Sequence, residues 1–99
     1  MPQVKLTIKA REDIKEIGRY TGQKWGRAKR IDYLRQLRVR MRDLGEGRIT
    51  GRPRHDLPGS PWNSHVGRHV IFYHPVADGI EVVRVLYDAM DFPRHFKPN

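Results

Sequence analysis

Arg48, Arg52, Arg54, His55, Arg68, His69, Arg84 and Tyr87 are the side chains with which this chain could work on a phosphodiester. Cutting RNA needs a base, an acid and cationic groups converging on one phosphate. Spacing argues against an obvious assembly. Arg84 and Tyr87 differ by an odd number in a stretch that reads as a strand. They face opposite sides of a sheet unless the strand ends or bulges between them. The loop arginines and His55 sit in a Gly/Pro-rich segment that allows many arrangements. No catalytic set is assigned. Arg84 reads as structural, in an ion pair or hydrogen bond with Asp88 or Asp91 as candidate partners.

The sequence holds 5 histidines and no cysteine. His65 and His69 have the i, i+4 spacing of helical metal ligands, but their segment reads as extended, which separates them by about 13 Å. No cysteine or clustered carboxylate joins them. No metal and no cofactor is expected. His69 reads as a satisfied sheet residue and His74 as a turn-edge residue.

The elements that must position these groups belong to a chain of 99 residues with formal net charge +9, from 20 Lys+Arg against 11 Asp+Glu. That length is one domain, 1–99, with a modest core, so a permanent partner that covers apolar surface suits it. The charge points to acidic partners. The absence of cysteine excludes disulfides, thiolate metal sites and a thiol nucleophile. The first residues, Met1-Pro2-Gln3-Val4-Lys5-Leu6, carry no apolar h-region, and no apolar run approaches membrane-spanning length, so a cytoplasmic protein with no membrane role is expected.

Val4, Leu6 and Ile8 alternate with Lys5, Thr7 and Lys9, the pattern of a half-buried strand at a sheet edge. A helix follows from about Ala10 to Tyr20, with Glu12 and Asp13 in its first turn and Thr21-Gly22 as its stop. A longer helix covers about Gln23 to Leu44. Its apolar stripe is Trp25, Ala28, Ile31, Leu34, Leu37, Met41 and Leu44, and Gly45 is its cap. The opposite face is basic: Lys24, Arg27, Lys29, Arg30, Arg35, Arg38, Arg40 and Arg42. It lacks a helix-turn-helix signature and base-reading Asn or Gln at its start, so sequence-specific DNA binding by this chain alone is not expected. Residues 45–61 read as a loop punctuated by glycines and prolines.

Trp62 to Val66 reads as a short strand before a Gly67 turn. The runs Gly67–His74 and Ile80–Tyr87, joined by Pro75-Val76-Ala77-Asp78-Gly79, read as a hairpin. The tail from Asp91 forms one helical turn, capped by Asp91, with Pro93 in its first turn and Pro98 as its end. The sum is an α+β domain. An antiparallel sheet of three to four strands packs on an N-terminal helix hairpin in the order β-α-α-β-β-β, with a short C-terminal helical turn.

Asp13-Ile14-x-x-Ile17-x-x-Tyr20, the Trp25-Gly26 step, and Ala28 with Tyr33-Leu34 resemble the ParE branch of the RelE/ParE toxins. The C-terminal half carries a more specific likeness. Gly67-x-His69-Val70-Ile71-Phe72-Tyr73, then Ile80-x-Val82-Val83-Arg84-Val85-Leu86, then Met90-Asp91, follows that family's closing pattern. The chain departs from it at Tyr87, where His is common. Before the Gly67 turn it offers Trp62, Asn63 and His65 where arginines are usual.

The resemblance implies a single toxin domain over 1–99, belonging to a bacterial toxin–antitoxin pair. ParE-like members bind and poison DNA gyrase without enzymatic chemistry. The alternative is a RelE-like ribosome-dependent mRNA endonuclease. In both branches a cognate antitoxin, ParD-like or other, wraps the toxin and silences it. On that reading the target contacts are expected in the tail (Asp91, Phe92, Arg94, His95 and Phe96), in the loop arginines Arg52 and Arg54, and at Trp62. The antitoxin is expected on Val4, Leu6 and Ile8 of the edge strand and on Trp25, Leu34, Leu37 and Met41 of the helices.

Overall fold

A computed structural model describes residues 3–96. Strand β1 (Gln3–Leu6) leads into helix α1 (Ile8–Trp25), which turns at Gly26 into helix α2 (Arg27–Gly45). Strands β2 (Arg52–Pro53), β3 (Trp62–Val66), β4 (His69–Val76) and β5 (Gly79–Tyr87) follow, and a short helix α3 (Phe92–His95) ends the described chain. The strands form one sheet in the order β1-β5-β4-β3-β2.

The α+β architecture with an N-terminal helix hairpin is as expected, but the sheet has five strands and is mixed. β1 pairs parallel with β5, whereas the other neighbours are antiparallel. Period-two alternation sets which face of β1 is buried; it does not set its neighbour or direction. β2, two residues long, pairs Arg52 with Asn63 and Pro53 with Trp62 inside what reads as loop.

Helix boundaries shift for local reasons. Thr7 caps α1, its hydroxyl accepting from the Ala10 amide at 3.1 Å, so the strand ends at Leu6 and Ile8 belongs to the helix. α1 runs through Thr21 and Gly22, and the buried Thr21 hydroxyl is satisfied within the helix by donating to the Ile17 carbonyl at 2.7 Å. Gly22 leaves room for the Arg30 stem: an added Cβ would lie 3.1 Å from it. The break falls at Gly26, whose φ of 90° suits glycine.

The apolar stripe on α2 is shorter than expected. Leu37, Met41 and Leu44 are buried and Leu34 half-buried, while Trp25, Ala28 and Ile31 are exposed. Steps of three residues rotate about 60° short of a full helical turn, so Ala28 and Ile31 swing out of the stripe, and Trp25 lies on α1, ahead of the Gly26 break.

The sheet is covered on both faces. One face packs Ile71, Tyr73, Ile80, Val82 and Val85 against Ala10, Ile17, Leu37, Met41 and Leu44 of the helices. The reverse face holds Val70, Phe72 and Leu86, covered by Leu57 of the loop and by Phe92 and Phe96 of the tail. The expected helical turn is present at α3 with Pro93 inside it, but Asp91 makes no side-chain cap bond. Pro98, expected to end the tail, lies outside the described residues.

Candidate functional site

Pairing between β4 and β5 shifts register: Phe72 faces Arg84 and Tyr73 faces Val82, which leaves Val83 as an extra residue. This β-bulge puts Val83 against the reverse-face cluster that also holds Leu86. Arg84, opposite Phe72, turns to α1. Its Nε and Nη2 donate to the Asp13 carboxylate at 2.8 and 2.9 Å, and its Nη1 donates to the His95 carbonyl at 3.3 Å. Hydrogen bonding to Asp13 raises the Arg84 pKa above its ordinary value. Arg84 is structural, as its spacing suggested, but Asp13 is its partner in place of Asp88 or Asp91. An acid that reads as a helix-dipole residue is used for a contact 71 positions away.

Tyr87 lies on the other face, opposite His69. The Tyr33 hydroxyl donates to the Val66 carbonyl at 3.0 Å and lies 2.6 Å from His69 Nδ1. A hydroxyl has one proton, so His69 Nδ1–H donates to Tyr33 in the arrangement that satisfies all three groups. Burial pushes the His69 pKa down, partly offset by the Asp88 charge. Arg68 Nε donates to Asp88 at 3.2 Å and Arg68 Nη2 donates to the Tyr87 hydroxyl at 3.2 Å. The cations and the imidazole nearest to one another are thus committed to partners within the fold.

On the reverse face Phe72 holds the Phe92 and Phe96 rings edge-on, each at 5.0 Å between centroids. The Arg54 guanidinium stands 5.6 Å over Phe92 and donates to the Asp56 carboxylate at 2.9 and 2.7 Å. That pairing lowers the Asp56 pKa to about 2. The structure therefore gathers Arg54, Phe92, His95 and Phe96 into one patch beside exposed Arg94 and Asp91. Arg52 and Trp62 sit apart from that patch, on neighbouring strands β2 and β3 at the far sheet edge, where Arg52 faces Asn63 and Trp62 faces Pro53. Trp62 packs half-buried on the main core. Among these residues Phe92 and Phe96 are internal anchors as much as surface, which the sequence alone does not reveal.

The residues assigned to an antitoxin divide into three. Val4 and Leu6 lie on β1, whose outer side is the sheet edge. Ile8 and Trp25 are exposed, 77% and 62%, at opposite ends of α1. Trp25 reads as part of the apolar stripe of the second helix, yet it lies at the surface. It terminates a helix at the hairpin tip, where Lys24 Nζ lies 5.4 Å from its ring. Leu37 and Met41 are buried against the sheet and Leu34 packs half-buried on the same core, so they support the surface more than they present one. Between the C-terminal end of α2 and strands β3, β4 and β5 lies an open groove of about 330 Å³, lined by Leu44, Ile49, Trp62, Val76 and Ile80 among others.

No group of three or more His, Cys, Asp or Glu among the described residues could hold a metal ion. No described helix is long and apolar enough to cross a membrane.

Residues 4–92 match the family described as ParE toxin of type II toxin-antitoxin system, parDE. The chain is similar to Toxin ParE1 of Caulobacter vibrioides, at 30% identity over 95 residues that cover 96% of this chain and 98% of that one. Its fold is similar to a chain of the solved chromosomal ParDE TA system from P. aeruginosa. That match has a TM-score of 0.71 at 19% identity and covers 88% of this chain and 96% of the other.

Proposed function

The chain belongs to the ParE toxins of type II toxin–antitoxin systems, and on that premise we propose that it inhibits DNA gyrase by protein–protein binding. The proposal includes a cognate antitoxin that silences it by covering the edge of β1 and the groove at the C-terminal end of α2.

One observation carries the target reading. The described part of the tail is clamped on the reverse face by the Phe72–Phe92–Phe96 cluster, and Arg84 donates to its His95 carbonyl. A short basic segment is thereby held rigid, with Arg94 exposed on a pre-ordered platform. Pre-ordering cuts the entropy cost of docking. Binding without chemistry is supported by the commitments of Arg84, Arg68 and His69 to Asp13, Asp88 and Tyr33. A phosphate on these groups would have to displace an existing partner.

The antitoxin reading rests on the unpaired side of β1 and on the open groove between the C-terminal end of α2 and strands β3, β4 and β5. An extended partner segment adds main-chain hydrogen bonds at such an edge and places alternate side chains in pockets.

Supercoiling and cleavage assays with purified gyrase, run beside primer extension on ribosome-bound message, test the target. Inhibited gyrase with intact message is the expected result. Message cuts that vanish on Arg68 or His69 substitution overturn the proposal in favour of an endonuclease.

A further inference from the structure

The outward face of the helix hairpin is strongly cationic and has no use inside the fold. α2 carries Lys or Arg at 7 positions against 2 Asp. With Leu37, Met41 and Leu44 turned inward, Arg27, Ile31, Arg35, Arg38 and Arg42 follow one another at spacings of three and four, all exposed. At 1.5 Å per residue the stripe runs about 22 Å. Among the described residues, Arg19, Arg48, Arg54, Arg68 and Arg84 pair with carboxylates. None of the four stripe arginines does. Guanidiniums three and four residues apart repel, and a long polyanion relieves that repulsion.

Three kinds of polyanion compete for such a face. A membrane-surface helix needs an apolar face to insert beside its cations. Here that face is buried against the sheet, and Ile31 alone interrupts the stripe. A folded acidic protein seldom presents carboxylates in line over this length. Duplex DNA presents a charge about every 1.7 Å of its axis, and guanidiniums bind phosphate oxygens in a bidentate fork. Two packed helices, each about 10 Å across, are wider than the roughly 12 Å major groove.

We propose that the outward face of α2 binds the phosphate backbone of duplex DNA without reading sequence. The choice of DNA over RNA rests on the gyrase reading, since that target works on DNA. The tail lies on the opposite face of the sheet, so DNA and a protein target can be engaged together.

The test is fluorescence anisotropy of the full chain with a 20-bp DNA duplex of arbitrary sequence. Four phosphate contacts give a log–log salt slope of about −3.6, a loss near 10²-fold between 50 and 200 mM salt. R35Q/R38Q/R42Q is expected to flatten that slope by about 2.7. K5Q/K9Q/R48Q removes equal charge elsewhere and is expected to retain it. All six positions are exposed, and circular dichroism checks that both variants fold. No binding at 50 mM salt, equal loss in both variants, tighter binding to an RNA duplex, or capture by anionic vesicles but not by DNA overturns the inference. Supercoiling assays on the same preparations separate the two proposals. A chain that inhibits gyrase yet ignores naked DNA sinks this inference alone, and one that binds DNA yet spares gyrase sinks only the proposed target.

Discussion

The Asp13 carboxylate on α1 grips Arg84 on β5 by two hydrogen bonds, at 2.8 and 2.9 Å, and accepts the Val85 amide at 2.9 Å. β1 pairs with β5 only as far as Val82. Beyond that point the strand would show open backbone groups toward α1, and Asp13 closes the gap. One carboxylate thus joins helix to strand and, through Arg84 Nη1, strand to tail. The two side chains are 14% and 16% exposed, so solvent screens the pair weakly.

Removing one partner should therefore be costly. Asp13→Ala is expected to lower unfolding stability by about 3 kcal/mol, because it strands both the Arg84 charge and the Val85 amide. Asp13→Leu combined with Arg84→Met is expected to lose less than the sum of the single changes. Urea unfolding of the four-member cycle measures this. Additive losses would show that the pair does not act as a unit.

Acid should destabilise the fold through His69. Its folded pKa lies below the ordinary 6.5, chiefly from burial. The unfolded chain then binds a proton first as pH falls, so this contribution is complete above pH 6.5 and lost on descent through the folded pKa. Burial raises Tyr33 and Tyr73 above 10.0, so their contributions hold below pH 10 and are lost as pH rises through the folded values. Melting temperature against pH should show both flanks. His69→Gln should flatten the one below pH 6.5.

Gly79→Ala should detach β1. Gly79 sits at φ 151°, and an added Cβ would overlap the Gln3 carbonyl oxygen, which is backbone and cannot swing aside. Loss of this pairing is expected to cost about 2 kcal/mol. It should expose the amides of residues 3–6 to rapid hydrogen exchange while the β4–β5 pairing stays protected. Antitoxin affinity should fall with it.

Phe96→Ala should loosen the tail by removing one of the two rings against Phe72. A loss of about 2 kcal/mol is expected, since the ring is only half-buried. Arg94→Ala, at an exposed position, should change stability by less than about 0.5 kcal/mol. Both are expected to weaken gyrase inhibition in a supercoiling titration. Full potency in Arg94→Ala with normal folding would place the target contact elsewhere.

The hairpin of β4 and β5 was legible because its side chains suit a sheet and Asp78-Gly79 suits a turn. The helix hairpin was legible in outline, but its tip was not. Trp25 reads as core because large aromatics usually are, yet it falls on the last helical residue before a glycine break. The candidate target patch was only half legible. Arg94 and His95 stand out as a basic tail, whereas the clamping role of Phe92 and Phe96 depends on Phe72, whose outward face is set by the sheet.

Sequence alone determined the α+β class, the β4–β5 hairpin, the basic face of α2 and the family, because these rest on local periodicity and on short motifs. Tertiary structure decided the parallel docking of β1, the partner of Arg84 and the folding of the tail onto the reverse face. Those are choices between surfaces far apart in the chain. Periodicity says that a face must be covered, and only the packed fold says by what.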